Sequence, residues 1–260
     1  MSFPLAAGSP PLREFTYWLH RYRRTWRGTI VISVANPLLF LIALGAGLGK
    51  LVDQGASPYL HGASYLSFFA PGLLAAASMQ TAFVESAGPV YQSTRVRGNY
   101  RAATITPMRP HDIFLGHLLF IAFRLTISAT AFVLVVIATG AVPVDRALPL
   151  IPAAVLVGFA FAAPLAAWAV GVTRPNRIQG LYRFVLLPLY MFSGTFFSPD
   201  QLPGWLYHIV VLTPLYQGIE LCRGIALGGS GLPWRVLYLV VLAALGVALG
   251  LRRYPRHLHG

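Results

Sequence analysis

Fifteen of the 20 Lys and Arg residues gather in four short clusters, and the stretches between clusters stay apolar for long enough to cross a bilayer. The clusters are Arg13, Arg21, Arg23, Arg24 and Arg27; Arg95, Arg97, Arg101 and Arg109; Arg174, Arg177 and Arg183; and Arg252, Arg253 and Arg256. A hydrocarbon layer about 30 Å thick demands apolar runs of about 20 residues. Within it every backbone N–H and C=O must be satisfied inside the segment, which a helix does by itself. The pattern therefore predicts an all-α polytopic membrane protein. Because cytoplasmic loops are enriched in Lys and Arg, all four clusters are placed on the cytoplasmic side.

Composition points the same way. The 260 residues are 56% hydrophobic and 10% charged, against roughly 25% charge in soluble domains. The net charge of +13 could suit nucleic acid, but a nucleic-acid reader concentrates its basic residues on one face. Here they are distributed between spans, so no nucleic-acid partner is expected. Cys222 is the single cysteine, which excludes an intrachain disulfide and a multi-cysteine metal site. Residues 1–28 lack the short apolar core and small-residue cleavage site of a signal peptide.

Ser9-Pro10-Pro11 is a helix start, followed by Leu12, Phe15, Leu19, Tyr22 and Trp26 at helical spacing with arginines between them. Residues 1–28 thus read as a cytoplasmic interfacial amphipathic helix. The other reading, a solvated basic tail, would leave Trp18 and Trp26 in water for no gain. Residues 29–260 then form a permease-like domain of six transmembrane helices, near 29–49, 65–85, 113–139, 148–172, 181–197 and 234–251. The fifth is short and contains Pro188, and Pro37, Pro71 and Pro164 are expected to bend their helices. Trp205 to Ile219 is too short for a span and is interrupted by Pro214, which predicts a re-entrant or interfacial outer hairpin, within about 198–224, before the last span. Six spans leave both termini cytoplasmic. The outer loops then carry Lys50, Arg146, Arg223 and Arg235 beside Asp53, Asp145, Asp200 and Glu220, a balanced set against the basic interior.

No constellation of residues predicts an enzyme. Gly45-Ala46-Gly47-Leu48-Gly49-Lys50 superficially resembles a phosphate-binding loop, but Leu44 and Leu51 stand where that motif needs Gly and Ser or Thr. Gly45 with Gly49, and Gly246 with Gly250, have the small-xxx-small spacing of close helix packing, which chance explains equally in a chain with 25 glycines. His257 and His259 lack further ligands nearby, and His111 and His117, six apart, fall on different helix faces. No aspartate-rich pair suits magnesium and pyrophosphate. No catalytic residue, bound cofactor or metal is therefore expected on this chain.

Two ionisable groups fall inside the expected spans, Glu85 and Arg124. Charges in a bilayer are costly and usually paired. Arg124 lies about 16 Å along its helix from Ile113. Either the two pair with each other, or Glu85 is solvated near its helix end while Arg124 snorkels. Between the second and third spans, residues 91–112 form a basic, amphipathic segment that ends in Pro107 and Pro110. It suits a lever taking force from a cytosolic partner, and equally an ordinary basic loop.

These features together resemble one known family. The interfacial helix, six spans, Thr106-Pro107-Met108-Arg109-Pro110 before the third span, the block from Phe196-Phe197-Ser198-Pro199-Asp200-Gln201-Leu202-Pro203-Gly204-Trp205-Leu206, then Pro214-Leu215 and Arg223-Gly224, are similar to type-2 ABC transporter permeases. Phe69-Ala70-Pro71-Gly72-Leu73 and Phe83-Val84-Glu85-Ser86 resemble the branch of nodulation lipo-oligosaccharide and daunorubicin-type drug exporters. The resemblance implies a plasma-membrane permease subunit paired with a second permease copy, identical or paralogous. Separate cytosolic ATPase subunits would carry the ATP and Mg, and the substrate would be an amphipathic or hydrophobic drug, lipid or lipid-linked oligosaccharide. It further implies that Arg97, Asn99, Tyr100, Arg101, Thr106, Pro107 and Arg109 contact the ATPase, and that Pro199, Leu202, Pro203, Trp205, Pro214 and Arg223 shape an outer gate. The competing classes are a proton-coupled secondary transporter using Glu85, disfavoured because no inverted repeat is visible, and a membrane scaffold.

Overall fold

The structure, a computed structural model, describes residues 9–43, 64–196 and 199–258. Among them are eleven α-helices in chain order: α1 Pro10–Ile42, α2 Tyr65–Tyr91, α3 Asn99–Thr104, α4 Pro110–Ala138, α5 Val144–Ala147, α6 Leu150–Ala169, α7 Pro175–Leu181, α8 Leu187–Phe192, α9 Gly204–Val211, α10 Pro214–Leu227 and α11 Leu232–Leu258. The chain is an all-α polytopic membrane protein. Four described segments are long and apolar enough to cross a bilayer, namely Tyr65–Val96, Pro110–Ala138, Val144–Ala169 and Leu232–Leu258.

Helix α6 is the hub, touching α2, α4, α10 and α11. Its sequence explains why, since eight of its 20 residues are Ala and small side chains let neighbouring backbones approach. Gly158 faces Leu125 of α4, Gly218 of α10 faces Val157, and Gly246 of α11 lies against Ala163 and Pro164. Gly250 of α11 meets the Phe114 ring. The Gly246 and Gly250 spacing therefore does mark close packing, while Gly45 and Gly49 lie outside the described residues. Most of α11 faces outward, with Leu237, Val241 and Leu245 exposed, as a lipid-facing helix requires.

The helix boundaries follow local chemistry. Pro110 occupies the first turn of α4, where its missing N–H is no loss, and Asp112 Oδ2 accepts from the Arg109 N–H at 3.0 Å. Ser64 caps α2 and Thr213 caps α10, each hydroxyl accepting a backbone N–H at 3.3 Å. Pro71 and Pro164 sit within α2 and α6, which continue through them.

Two expectations meet a different arrangement. The boundary near residue 28 falls inside one helix, because α1 runs from Pro10 through Ile42; the rest of the first expected span, with Lys50 and Asp53, lies outside the described residues. The fifth expected span, 181–197, is shifted: one helical run extends from Pro175 to Phe192, with α7 passing through a π-helical turn at Tyr182–Leu186 into α8, and it ends before Ser193. Pro188 supplies no N–H to the preceding turn, so that turn widens, and Gly194 then reverses the chain at φ +91°. Among the described residues the helices able to span number four, with one bent pair besides. That pair is α9 and α10, which meet at 79° across Leu212 and Thr213, the break expected at Pro214 for an outer hairpin. The bend is held by Gln217 Nε2 donating to the Val211 carbonyl at 2.8 Å and the Tyr238 hydroxyl donating to the Leu212 carbonyl at 2.8 Å.

Candidate functional site

Two ends of the bundle carry the polar chemistry. At the first end meet the start of α1, the segment after α2, the start of α4 and the end of α11. Arg95, Arg97, Arg101 and Arg109 are all exposed there, and Arg253 and His257 crowd Gly171 just past α6. This is the basic end. Between α2 and α4 the chain forms a π turn, Gln92–Val96, then reverses at Gly98, φ +67°, into α3. Val96 and Ile105 stand exposed among the arginines at 68% and 88%, and Thr106 and Pro107 are also exposed. The Arg97 guanidinium donates to Gln92 Oε1. An apolar knob ringed by cations is what this segment offers to solvent.

Tyr100 departs from the expected surface role. Its side chain is fully buried, and its hydroxyl shares a 2.6 Å hydrogen bond with Nδ1 of His117 on α4. Burial holds the Tyr100 phenol well above its ordinary range, so it keeps its proton. His117 in turn stacks on Trp18 of α1 at 4.2 Å between ring centroids, and Trp18 Nε1 donates to Glu14 Oε1 at 2.7 Å. Glu14 is 5% exposed, and burial pushes its carboxyl up to about 7, against the opposing effect of the Trp18 hydrogen bond.

The apolar face of α1 thus packs on protein. Phe15 and Tyr22 set ring edges against Phe123, and Trp18 stacks near Phe120. Gly116 of α4 admits this contact, since a Cβ there would strike the Pro11 carbonyl and Glu14. The outward face carries Leu12, Arg13, Tyr17, His20, Arg23, Arg24 and Trp26.

One helical turn further along α1, the two expected intramembrane charges meet. Arg124 Nε donates to Glu85 Oε1 at 2.9 Å, and Arg124 Nη1 donates to the Tyr22 hydroxyl at 2.7 Å. The guanidinium also lies 4.4 Å from the Tyr22 ring centroid. Arg124 is 1% exposed. The pair reading holds, and Tyr22 is a third member.

The opposite end is built on Arg223 of α10, 5% exposed. Its Nε donates to the Phe68 carbonyl at 3.2 Å, Nη1 to Glu220 Oε1 at 3.3 Å, and Nη2 to the Gly194 carbonyl. Its guanidinium lies 3.7 Å from the Phe68 ring centroid. Arg235 of α11 reaches the other Glu220 oxygen at 3.4 Å. Arg223 therefore ties together α2, the Gly194 turn and α10, and α11 joins through Glu220. Pro199 packs on Gly194, whereas Trp205, at 69%, and Pro203 are exposed, and Leu202 and Pro214 are half-buried. Phe197 and Ser198 lie outside the described residues.

No group of three or more His, Cys, Asp or Glu able to hold a metal occurs among the described residues. The arrangement is that of a helical bundle with an exposed basic tip at one end and an ion-locked hairpin at the other. A family model described as ABC-2 type transporter matches residues 14–227. The chain belongs to that family. It is 30% identical over 220 residues to "Nodulation protein J" of Rhizobium meliloti (strain 1021), covering 81% of each chain. It is 28% identical to the protein of that name from Sinorhizobium fredii, covering 93% of this chain and 94% of the relative. "Inner membrane transport permease YadH" of Escherichia coli (strain K12) is 27% identical over 222 residues, covering 83% and 82%.

The ABC-2 permease is thus the membrane subunit of an ABC transporter. Of the residues singled out from its sequence, Glu85 and Arg124 are brought together, Arg97, Arg101, Thr106, Pro107 and Arg109 share one exposed tip, and Asn99 is half-buried beside them. The outer set is divided, with Arg223 and Pro199 buried and Trp205 and Pro203 exposed. Sequence reasoning missed Glu14, Trp18, His117 and Tyr22. The available signal was their i, i+4 and i, i+8 spacing on α1, 14, 18 and 22, a single stripe mixing one acid with aromatics.

Proposed function

We propose that this ABC-2 permease is the membrane half of an ATP-driven exporter, moving an amphipathic or hydrophobic drug, lipid or lipid-linked oligosaccharide from the cytoplasm or inner leaflet outward. It works with a second permease copy and with separate cytosolic ATPase subunits that carry ATP and Mg. In this reading the basic end and both termini face the cytoplasm of a plasma membrane, residues 91–112 couple to the ATPase, and the hairpin within 198–224 gates the outer side. The part of residues 1–28 that is described, from Pro10 on, forms the cytoplasmic part of α1. The observation that carries the reading is the exposed tip itself, with Val96 and Ile105 projecting among Arg95, Arg97, Arg101 and Arg109. An apolar knob with a cationic rim has the anatomy of a docking element. The likeness to the nodulation J proteins supports the lipid-linked oligosaccharide or drug branch. The proton-carrier reading is disfavoured further because its one acidic residue, Glu85, is engaged by Arg124 at 2.9 Å.

The test is co-purification. The wild-type chain should bring an ATPase out of detergent-solubilised membranes. Arg101→Glu with Arg109→Glu should insert normally but retain the ATPase about tenfold or more weakly, because reversed charges repel where complementarity steered docking. Undiminished binding by the doubly reversed chain would remove this tip from the interface.

A further inference from the structure

Helix α3 is six residues long, and Tyr100 is its only buried residue. The chain enters α3 through the left-handed Gly98 and leaves it toward Pro107 and Pro110, so both covalent connections pass through conformational breaks rather than a continuous helix. Ala103 and Met108 only partly touch the core. Tyr100, by contrast, reaches two long helices at once. Its hydroxyl bonds His117 of α4, and its ring lies 6.2 Å, centroid to centroid, from Tyr254 of α11. Tyr254 stacks in turn near Phe114 of α4 at 4.7 Å, and His117 stacks on Trp18 of α1. A displacement of the exposed tip therefore meets α4 and α11 directly, and α1 one contact later, at a single side chain.

We propose that Tyr100 is the positioning residue that ties α3 to the bundle and passes movement of the basic tip into α4 and α11. The proposal rests on the reading of residues 91–112 as the ATPase-coupling segment, and deepens it by separating two kinds of residue. The arginines and Ile105 are the contact surface; Tyr100 touches no partner and acts through His117 and Tyr254. The hydroxyl and the ring contribute separately, which allows them to be tested separately. Tyr100→Phe keeps the ring against Tyr254 and removes the bond to His117, whereas Tyr100→Ala removes both.

Two measurements decide it. In the purified permease alone, hydrogen exchange of the α3 amides should quicken about tenfold in Tyr100→Ala, and by a smaller factor in Tyr100→Phe, with α6 unchanged, because a short segment that loses its one buried side chain opens locally. In the complex with its ATPase, spin labels at Val144→Cys and Leu237→Cys report the far end of the bundle. ATP with vanadate should change their separation in the wild-type background, not in Tyr100→Ala, and only partly in Tyr100→Phe. Wild-type exchange of α3 in both variants overturns the tie, and a full far-end response in Tyr100→Ala overturns the relay. A wild-type chain that binds no ATPase contradicts the functional reading instead, and the exchange experiment still decides the tie.

Discussion

Arg124→Ala should lower the unfolding free energy of the permease by about 3–5 kcal/mol, the usual effect of removing one member of a buried ion pair. The loss comes less from the missing attraction than from what is left behind. Glu85, at 13% exposure, would be left without its 2.9 Å partner, and the Tyr22 hydroxyl would lose its donor. Adding Glu85→Gln should therefore return part of the stability, because removing both charges is cheaper than stranding one. Thermal unfolding in detergent of the two single variants and the double variant gives the coupling directly. Strictly additive losses would mean that the pair does not act as a unit. Glu85→Gln alone that stays folded, hydrolyses ATP with its partner and no longer transports would give the glutamate a role beyond pairing.

The second large effect is expected at the opposite end. Arg223→Met should cost about 3 kcal/mol, because the Phe68 and Gly194 carbonyls and one Glu220 oxygen would lose a charged donor in a buried setting. Glu220→Gln should cost roughly 1 kcal/mol, since the guanidinium keeps both carbonyls and the Phe68 face. The ordering is the content of the prediction. Arg223 joins α2, the turn at Gly194, α10 and, through Glu220, Arg235 of α11. A surface ion pair between Arg223 and Glu220 alone would make the two substitutions equal. Equal and small shifts in the melting temperatures of the two variants would therefore dismantle the account of the locked hairpin.

The Glu85 to Arg124 pair was legible because charge is so rare in these spans that two groups of opposite sign have few other partners. The bend between α9 and α10 was legible for a similar reason, since Pro214 cuts a short apolar run at the point where the two helices meet at 79°. What escaped the sequence is where aromatic faces go. Phe15, Trp18 and Tyr22 make a stripe that suits a lipid interface and a helix partner equally, and only the glycine at 116, which opens room on α4, separates the two outcomes. The family resemblance groups Tyr100 with Arg97 and Arg101 at the ATPase contact, yet its side chain is buried. On a short helix, one inward residue among outward ones carries no periodic signal. The fifth span ended early on backbone chemistry, with Pro188 following a π-helical turn and Gly194 reversing the chain before residue 197.

Which side of the membrane holds the basic end decides whether a cytosolic ATPase can reach it, so orientation is the claim on which the account stands. Cysteines placed singly at Ile105 and Val144 sit at opposite ends of the bundle, 88% and 54% exposed in the native residues. The native Cys222 is buried and silent to a bulky reagent. In intact cells treated with a membrane-impermeant maleimide, the Val144→Cys chain should be labelled and the Ile105→Cys chain should react only after permeabilisation. Labelling of Ile105→Cys from outside, with Val144→Cys protected, would put the arginine-ringed tip beyond the reach of any cytosolic ATPase and contradict the account.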